Sequence, residues 1–337
     1  MRAATIDDGR IEIQARPVPT PAPGEALVRV HAAGINRADL MQVAGNYPAP
    51  PGSPADIPGL EFAGVVEALG PNPSNEGSPG SLGVAVGDRV FGIAGGGAQA
   101  EYLTVPIGQC AAVPPVLDLV AMGGVPEAFV TAHDALVTRA RLRPGEWVLV
   151  HAVGSGVGTT ALQLAVAMGA QVVGTARTQS KLDRCNALGL AHGIVPALAK
   201  GELDVDALAW SIVEATGGGA DVTLDLVGGD YLAADIGAAA ILGRIVCIGT
   251  VAGGRATVPV VAILAKRLTI VGTVLRARTV AEKAAAMDGF VRDVVPLLAE
   301  GRVAPIVEAT VPLAQVNDAY ELLASNATFG KVVLDCR

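Results

Sequence analysis

The sequence predicts a two-domain α/β protein in which a doubly wound parallel sheet is inserted into an antiparallel barrel of short strands. The chain has 337 residues, enough for two sizeable cores. About the first 120 residues are short alternating segments between Pro and Gly clusters, which is typical of an irregular barrel. From about residue 123, apolar strand candidates alternate with helix-length segments, which indicates a parallel sheet covered on both faces.

Composition narrows the classes of function. Hydrophobic residues make up 51% of the chain and charged residues 17%, so the chain is not disordered. A net charge of −8 lacks the positive field that nucleic acid or an anionic membrane would attract, and we expect neither partner. No apolar run reaches about 18 residues and the N-terminus is polar, so neither a membrane span nor a signal peptide is expected. Four scattered cysteines argue against a disulfide framework and fit a cytoplasmic protein.

The barrel domain is expected to begin with residues 1–122. Its strand candidates include 26–31 and 64–67, separated by Pro- and Gly-rich turns. The polar run 71–81 is expected to be a solvated loop.

The parallel-sheet domain is expected over residues 123–265, and the barrel domain resumes over 266–337. Helices are expected over 281–299 and 312–324, followed by a closing strand at 331–334. The expected strands of the parallel pattern are 147–152, 171–175, 193–195, 222–227, 243–249 and 268–273.

A glycine-rich segment follows the first of these strands. Residues 153–158 read V-G-S-G-V-G and lead into an apolar helix, and the next strand begins at Gln171. In such a βαβ unit the helix N-terminus binds a dinucleotide pyrophosphate, and glycines such as Gly154 and Gly158 allow close backbone approach. Thr159 replaces the last glycine of G-x-G-x-x-G, so an ordinary Gly-rich turn is the alternative.

The end of the second strand indicates which nucleotide binds. The stretch from Thr175 to Lys181 reads T-A-R-T-Q-S-K and holds no acid for a ribose 2′-hydroxyl. Arg177 and Lys181 can pair with a 2′-phosphate, and Thr178 and Ser180 can donate to it. This pattern favours NADPH over NADH. The alternative is that both cations only begin a solvated helix.

Three polar side chains stand out in the barrel part. Asn36 and Tyr47 can orient a carbonyl or a nicotinamide; the alternatives are a helix N-cap and a loop anchor. In the stretch G-L-E-F-A-G, Glu61 is an isolated acid beside the hydrocarbon Leu60. We expect a structural role for Glu61, with a basic partner that the sequence does not identify.

Six motifs in order carry a family resemblance. Together they resemble the zinc-independent quinone oxidoreductases of the medium-chain dehydrogenase/reductase superfamily, and most of all the tumour-suppressor-inducible quinone oxidoreductase subgroup. The resemblance covers the whole chain. The motifs are N-R-A-D-L-M-Q-x-x-G-x-Y from Asn36, P-G-L-E-x-x-G-x-V from Pro58, V-G-D-R-V from Val86, V-P-E-A-F-x-T-A from Val125, H-A-x-x-S-G-V-G-T from His151 and G-K-V-V-L from Gly330.

The resemblance implies a GroES-like catalytic domain around an inserted Rossmann domain. It also implies a homodimer, with an edge strand of the final part at the interface. The implied activity is reduction by NADPH of a small-molecule acceptor, a quinone or another activated alkene such as an enone.

The resemblance also implies individual roles. Asn36, Tyr47 and Thr131 would line the nicotinamide side. Beyond the resemblance, we expect Tyr47 to hydrogen-bond the acceptor oxygen and Asn36 and Thr131 to position the ring. Pro126 would also lie beside the nicotinamide, and the pyrophosphate would contact Ser155, Gly156 and Val157. The adenosine phosphate would contact Ala176, Arg177 and Lys181, with Thr175 as a further cofactor position, and the ribose would lie between Ile248 and Gly249, with Val227 as another. The residues that would close over the cofactor are Leu275, Phe329, Gly330 and Lys331.

The chain departs from the family pattern in three places. Val195 and Pro196 follow the third strand, where many relatives have a Tyr near the adenine. The 71–81 loop is longer than the family pattern. Arg177 stands where relatives often have a small residue, which strengthens the expected preference for a phosphate.

No metal is expected. Zinc-dependent members have a Cys within the stretch matching 35–39 and a His beside the acid, whereas this chain has no thiol there and has Leu60 beside Glu61. The four histidines are expected to be structural or exposed. Without a Lewis acid, quinones and enones remain good acceptors because the arriving hydride leaves a delocalised anion.

Two other functions fit the same residues. One is reduction of an enoyl thioester, as in related domains of lipid or polyketide synthesis. The other is nucleotide binding without catalysis.

Overall fold

Two units make up the part of the chain that the structure, a computed structural model, describes: residues 1–71 and 83–337. The first unit is Met1–Val130 with Leu275–Arg337, and the second is Thr131–Val274. The predicted loop at 71–81, apart from residue 71, lies outside the described residues.

Within the residues that the structure describes, nine strands belong to the first unit. They are β1 Arg2–Asp7, β2 Arg10–Ala15, β3 Glu25–Ile35, β4 Glu61–Leu69, β5 Arg89–Ile93, β6 Tyr102–Pro106, β7 Cys110–Ala112, β16 Val307–Pro312 and β17 Lys331–Asp335, with the numbers following the whole chain. A seven-stranded sheet has the order β16-β17-β3-β4-β5-β7, with β6 paired to β3, while β1 and β2 form a separate hairpin. All pairs in the seven-stranded sheet are antiparallel except β16 with β17.

The second unit contains a parallel six-stranded sheet. The strands of this unit are β8 Trp147–Val150, β9 Gln171–Thr175, β10 His192–Ile194, β11 Leu198–Ala199, β12 Glu202–Leu203, β13 Ala220–Asp225, β14 Ala239–Cys247 and β15 Thr269–Gly272. The sheet has the order β10-β9-β8-β13-β14-β15. Strands β9 and β10 therefore lie on one side of β8, and the later strands β13, β14 and β15 lie on the other side. Cofactors bind outside the carboxyl ends of parallel strands at such a switch point.

Helices connect the strands of both units. Short 3₁₀ turns occur at Ile107–Gln109 and Leu313–Gln315, and a π-helical segment at Asp134–Arg139. The α-helices are α1 Arg37–Val43, α2 Leu119–Met122, α3 Pro126–His133, α4 Gly156–Ala167, α5 Gln179–Asn186, α6 Val205–Thr216, α7 Tyr231–Ala238, α8 Val260–Lys266, α9 Val280–Asp293, α10 Val295–Ala299 and α11 Val316–Ala324. None of the helices described for 1–71 and 83–337 has the length and apolar character needed to cross a membrane.

Each unit has its own apolar core. Alternate residues of β3 such as Val28 and Val30 are buried against Phe62 of β4, as expected for a half-buried antiparallel strand. In the second unit, Leu149 and Val173 lie in adjacent strands whose central residues are apolar, and helices cover them. The predicted α/β class, with antiparallel and parallel parts, is confirmed.

The unit boundaries lie further along the chain than the predicted ones at 122/123 and 265/266. They fall after Val130 and Val274. Gly123 belongs with the first unit because it packs directly on β3, where an added Cβ would lie 2.5 Å from Ala32 Cβ. The part of the barrel domain that was predicted over 266–337 includes β15. This strand instead belongs to the second unit, because it pairs in parallel with β14 at the edge of the six-stranded sheet.

Candidate functional site

A buried ion pair joins two strands of the first unit. Glu61 is the first residue of β4 and Lys331 the first of β17, and both strands pair with β3. Lys331 Nζ donates to Glu61 Oε1 over 2.5 Å, and the exposed fractions of the two side chains are 6% and 0%. An added Cβ at Gly34 of β3 would lie 2.6 Å from Glu61 Cδ, so the glycine makes room for the carboxylate. Lys331 is thus the basic partner that sequence reasoning could not identify.

Asn36 completes this buried network. Its Nδ2 donates to Glu61 Oε1 over 2.9 Å, and its Oδ1 accepts from Lys331 Nζ over 2.7 Å. Asn36 also directly precedes α1, and its backbone N–H donates to Asp39 Oδ2 over 2.8 Å. The N-cap position and the network role therefore coexist, and the side-chain amide of Asn36 is held in one orientation.

Two further acids border the network. The backbone N–H of Glu127 donates to Glu61 Oε2 over 2.9 Å. Burial, followed by the nearby charge of Glu61, raises the pKa of Glu127 to about 8. Burial likewise raises the pKa of Asp39 to about 6, although its carboxylate accepts from the backbone of Asn36 and Gly59. At neutral pH the Glu127 carboxyl is therefore mostly protonated.

Tyr47 lies against a buried arginine that sequence reasoning missed. Arg276 is only 4% exposed, and its guanidinium lies 5.0 Å from the centroid of the Tyr47 ring. It donates to the carbonyl oxygens of Tyr47 over 3.0 Å and Gly95 over 2.8 Å, and to Gln42 Oε1 over 2.5 Å. Arg276 thereby fixes the Tyr47 segment to the Gly95 segment. The sequence offers no signal that separates Arg276 from the nearby Arg278.

The phosphate-loop prediction falls on the start of a helix in the second unit. Ser155 is the N-cap of α4, and its Oγ accepts from the backbone N–H of Gly158 over 3.1 Å. An added Cβ at Gly158 would lie 2.8 Å from Val153 Cα, so only glycine lets α4 approach the end of β8. The first N–H groups of α4 have no intrahelical partners. This arrangement fits an anionic pyrophosphate.

The second strand of the parallel sheet ends where the adenosine phosphate was predicted. Thr175 is the last residue of β9, Ala176 is buried, and Arg177 is exposed. Thr178 precedes α5, which contains Lys181 in its first turn. The cationic side chains thus lie at the carboxyl edge of the sheet, as the βαβ pattern requires.

The remaining predicted positions of the second unit lie at the same edge. Val227 follows β13, and Ile248 and Gly249 follow β14. Asp225 Oδ1 accepts from the backbone N–H of Val227 over 2.8 Å and of Gly228 over 2.7 Å, so this strand-end carboxylate shapes the turn. Thr131 lies within α3 and is half-buried.

The other predicted positions of the first unit are buried. Pro126 is the first residue of α3, next to Glu127. Gly330 has a φ of 84°, a left-handed conformation that glycine adopts without strain. The predicted closure of Leu275, Phe329, Gly330 and Lys331 over a cofactor stays a prediction; the structure buries all four.

Metal-ligand geometry does not occur in residues 1–71 and 83–337. In that part of the chain no group of three or more His, Cys, Asp or Glu side chains is arranged to hold a metal ion. Leu60, which has no donor atom, is 1% exposed beside Glu61.

Two families match separate parts of the chain. Residues 22–115 match the alcohol dehydrogenase GroES-like domain, and residues 156–290 match the zinc-binding dehydrogenase family. The fold and these matches define a dehydrogenase/reductase built from a GroES-like domain and a Rossmann-like parallel sheet.

Individual relatives narrow the class. Quinone oxidoreductase-like protein 2 of Bos taurus is 30% identical over 332 residues, 97% of this chain and 88% of the relative. The spectinabilin polyketide synthase system protein NorB of Streptomyces orinoci is 32% identical over 320 residues, 93% of this chain but 13% of the synthase. The crystal structures of the quinone oxidoreductase from Thermus thermophilus and its NADPH complex match with a TM-score of 0.79 and 28% identity, covering 99% of this chain and 100% of that one.

The chain belongs to the quinone oxidoreductase family of the medium-chain dehydrogenase/reductase superfamily. It is an oxidoreductase of a family that binds a nicotinamide cofactor. This confirms the family resemblance of the six motifs.

Proposed function

We propose that the protein reduces quinones or other activated alkenes with NADPH and without a metal. The Glu61 network is the observation that carries the proposal. It occupies the stretch where a zinc-dependent relative needs its ligands, and both Glu61 oxygens already accept hydrogen bonds from Asn36, Lys331 and Glu127. Three of the about four acceptor sites of this carboxylate are therefore occupied, which leaves little capacity to bind a metal.

A site without ligands for a Lewis acid favours particular acceptors. An alcohol needs help to lose its proton and a simple ketone needs polarisation, which a metal would supply. A quinone or an enone needs less help because its reduced anion is delocalised. The names of the Bos taurus relative and of the Thermus enzyme support this acceptor class.

The second unit supports NADPH as the reductant. No acid follows β9, whereas Arg177 is exposed and Lys181 lies in the first turn of α5. Both are placed in sequence to meet a phosphate at the carboxyl edge. The Thermus relative was crystallised with NADPH.

Residues of this chain have distinct tasks in the proposed reaction. A bound reduced nicotinamide supplies the hydride. The Tyr47 hydroxyl donates a hydrogen bond to the acceptor oxygen as negative charge develops there. Burial and then Glu127 raise the pKa of Tyr47, so the hydroxyl keeps its proton and water supplies the proton that the product gains. Asn36 and Thr131 position the ring.

Enoyl-thioester reduction is the second candidate. The match of 93% of this chain to a small part of a polyketide synthase favours it, because such synthases act on carrier-bound thioesters. The chemistry is the same addition of hydride to an activated double bond.

An acceptor panel separates these functions. We expect the purified protein to oxidise NADPH with 1,2- or 1,4-quinones faster than with crotonyl thioester. Turnover of crotonyl thioester alone would transfer the proposal to the second candidate. Tight NADPH binding without turnover of any acceptor would identify a nucleotide-binding protein without catalysis.

We also propose that two copies of the chain associate along β15. This strand is an edge of the six-stranded sheet, and an edge strand can pair with another chain. Apolar side chains of β15 and of α8, the helix that directly precedes it, are exposed: Ile270 by 38%, Val261 by 79% and Leu264 by 71%. Covering such a patch stabilises a dimer by removing apolar surface from water.

A further inference from the structure

A buried histidine, His151, directly precedes the phosphate loop at 153–158 and pairs with Asp235 of α7. His151 Nε2 and Asp235 Oδ1 are 2.7 Å apart, and both side chains are 0% exposed. The other ring nitrogen, Nδ1, lies 2.8 Å from Thr175 Oγ1. The His151 ring also meets the edge of Tyr231, with 4.8 Å between ring centroids. All four residues belong to the second unit.

These contacts connect the elements that bear the predicted cofactor residues. His151 follows β8, and its backbone N–H donates to Leu224 of β13 over 3.2 Å. Thr175 ends β9, and its carbonyl oxygen accepts from Val153 of the loop over 2.9 Å. Asp235 lies in α7, which follows the turn at Val227. One imidazole therefore links the pyrophosphate loop, the strand end before Arg177 and the helix after β13.

The surroundings of the pair are anionic. Asp225 from β13 lies near enough to act on His151, and both Asp225 and Asp235 act on Cys247 of β14. Tyr231 of α7 supplies the remaining titratable group against the ring, and Arg177 acts on that Tyr231. Asp235 Oδ2 is buried with no hydrogen-bond partner.

This environment favours retention of one proton by the pair. Burial alone would lower the pKa of His151, but the charge and hydrogen bond of Asp235 outweigh it and raise that pKa from its ordinary value. A neutral His151 beside an ionised Asp235 would leave a net negative charge buried near Asp225. With the shared proton, the pair is neutral overall.

We propose that His151 is a positioning residue for the nicotinamide dinucleotide, which it holds in place through the phosphate loop and the end of β9. The proton shared with Asp235 keeps the floor of the pyrophosphate site neutral. Loss of that proton places a buried negative charge beneath an anionic ligand, so affinity falls as the pH rises. By linkage, dinucleotide binding at alkaline pH takes up a proton.

The inference rests on the nucleotide site of the proposed function, but not on the choice of acceptor or of NADPH over NADH. Its test uses the wild-type chain first. Calorimetric titration with NADH, in buffers of different ionisation enthalpy, measures protons taken up on binding between about pH 7 and pH 9.5. NADH lacks the 2′-phosphate, whose own titration would otherwise contribute. We expect proton uptake at the alkaline end, and its absence there would overturn the proposal.

Asp235→Asn tests the residue assignment. It keeps the shape of the side chain and removes the charge that holds the proton. We expect the proton uptake to vanish and the affinity for NADH and NADPH to stop falling as the pH rises, because a neutral imidazole beside an amide carries no charge. Unchanged proton uptake in a folded variant would overturn the proposal; if the variant does not fold, the wild-type measurement decides.

Glu146→Gln is the matched control. Glu146 precedes the opposite end of β8 and accepts from both terminal nitrogens of Arg244, at 3.0 and 2.5 Å. Its loss breaks an ion pair of the same unit far along the strand from the loop. We expect lower stability with cofactor affinity and proton uptake unchanged. Loss of the proton uptake in both variants would reduce the role of His151 to stability. If NADH and NADPH both fail to bind the wild type, the proposed function itself fails.

Discussion

Lys331 Nζ lies 2.5 Å from Glu61 Oε1, so the last strand of the chain is joined to β4 by a buried ion pair. The pair spans 270 positions of sequence. It explains why an acid persists in a stretch otherwise made of small and apolar residues. Glu61 is a structural carboxylate that fixes Asn36 and Lys331, which is the role expected from the sequence.

Removing one member of this ion pair should lower the free energy of unfolding. We expect Lys331→Met to lower the free energy of unfolding by about 3 to 5 kcal/mol, because it leaves Glu61 buried without its cation. The double variant Glu61→Gln with Lys331→Met should lose less than Lys331→Met alone, since no buried charge remains unpaired. Denaturant unfolding measures both. Glu300→Gln, in the exposed pair with Arg302 at 3.7 Å, is the control and should cost less than about 1 kcal/mol. Equal losses in Lys331→Met and the control would contradict the assignment.

Arg177 should decide between the two reductants. We expect Arg177→Ala to raise the Michaelis constant for NADPH far more than for NADH, because only NADPH carries the 2′-phosphate. Steady-state kinetics with each reductant and one quinone measures the ratio. Arg184→Ala removes another cation of α5 and should leave the ratio unchanged. Similar changes for both reductants in Arg177→Ala would remove the phosphate assignment.

Tyr47 should affect turnover more than cofactor binding. We expect Tyr47→Phe to lower kcat with a quinone about 10- to 100-fold, since a donor to the developing oxyanion is lost. The dissociation constant of NADPH should stay the same, as fluorescence titration would show. Tyr102→Phe, in β6, serves as the control. A kcat unchanged in Tyr47→Phe would leave the tyrosine with only the loop-anchor role.

Glu127 should make stability depend on pH. Its pKa is raised to about 8, so the native state holds a proton that the unfolded state releases near its ordinary carboxyl pKa. The unfolded state therefore binds fewer protons, and stability falls as the pH rises from about 5 to about 8. We expect this slope to be shallower in Glu127→Gln. Urea unfolding at several pH values measures it, and identical slopes in both proteins would show that Glu127 ionises normally.

The exposed apolar side chains of α8 and β15 should determine whether two copies of the chain associate. We expect Val261→Glu to shift a dimer toward monomer in analytical ultracentrifugation, because a charge would be buried at the apolar interface. Trp210→Glu changes another exposed apolar residue, 69% exposed on α6, and should leave the mass unchanged. A wild-type chain that sediments as a monomer at all concentrations would contradict the proposed association.

Periodicity and turn signals predicted much of the architecture. Continuous apolar runs bounded by helices indicated all six strands of the parallel sheet, because both faces of such strands are buried. The expected helix over 281–299 is two helices, α9 and α10, that part at Val294, two residues before Pro296, where the proline ring cannot continue the hydrogen-bond pattern. Strand β16 was missed although its six residues, V-E-A-T-V-P, alternate between half-buried and exposed positions as a strand pattern should.

Site prediction succeeded where a motif is local and failed where partners are distant. The N-cap Ser155 and Gly158 lie in one short segment, so their spacing alone indicates their geometry. Arg276 reaches Gln42 from 234 positions away, and nothing in the sequence around either residue reveals the contact. The same holds for His151 and Asp235, whose carboxylate lies in α7, 84 positions along the chain.

Steady-state NADPH oxidation by protein treated with a metal chelator tests the central claim most directly. With 9,10-phenanthrenequinone or 1,4-benzoquinone as acceptor, we predict full activity after chelation and no gain on adding Zn²⁺. Loss of quinone turnover on chelation, restored by Zn²⁺, would contradict a metal-free reductase built around Glu61 and Lys331.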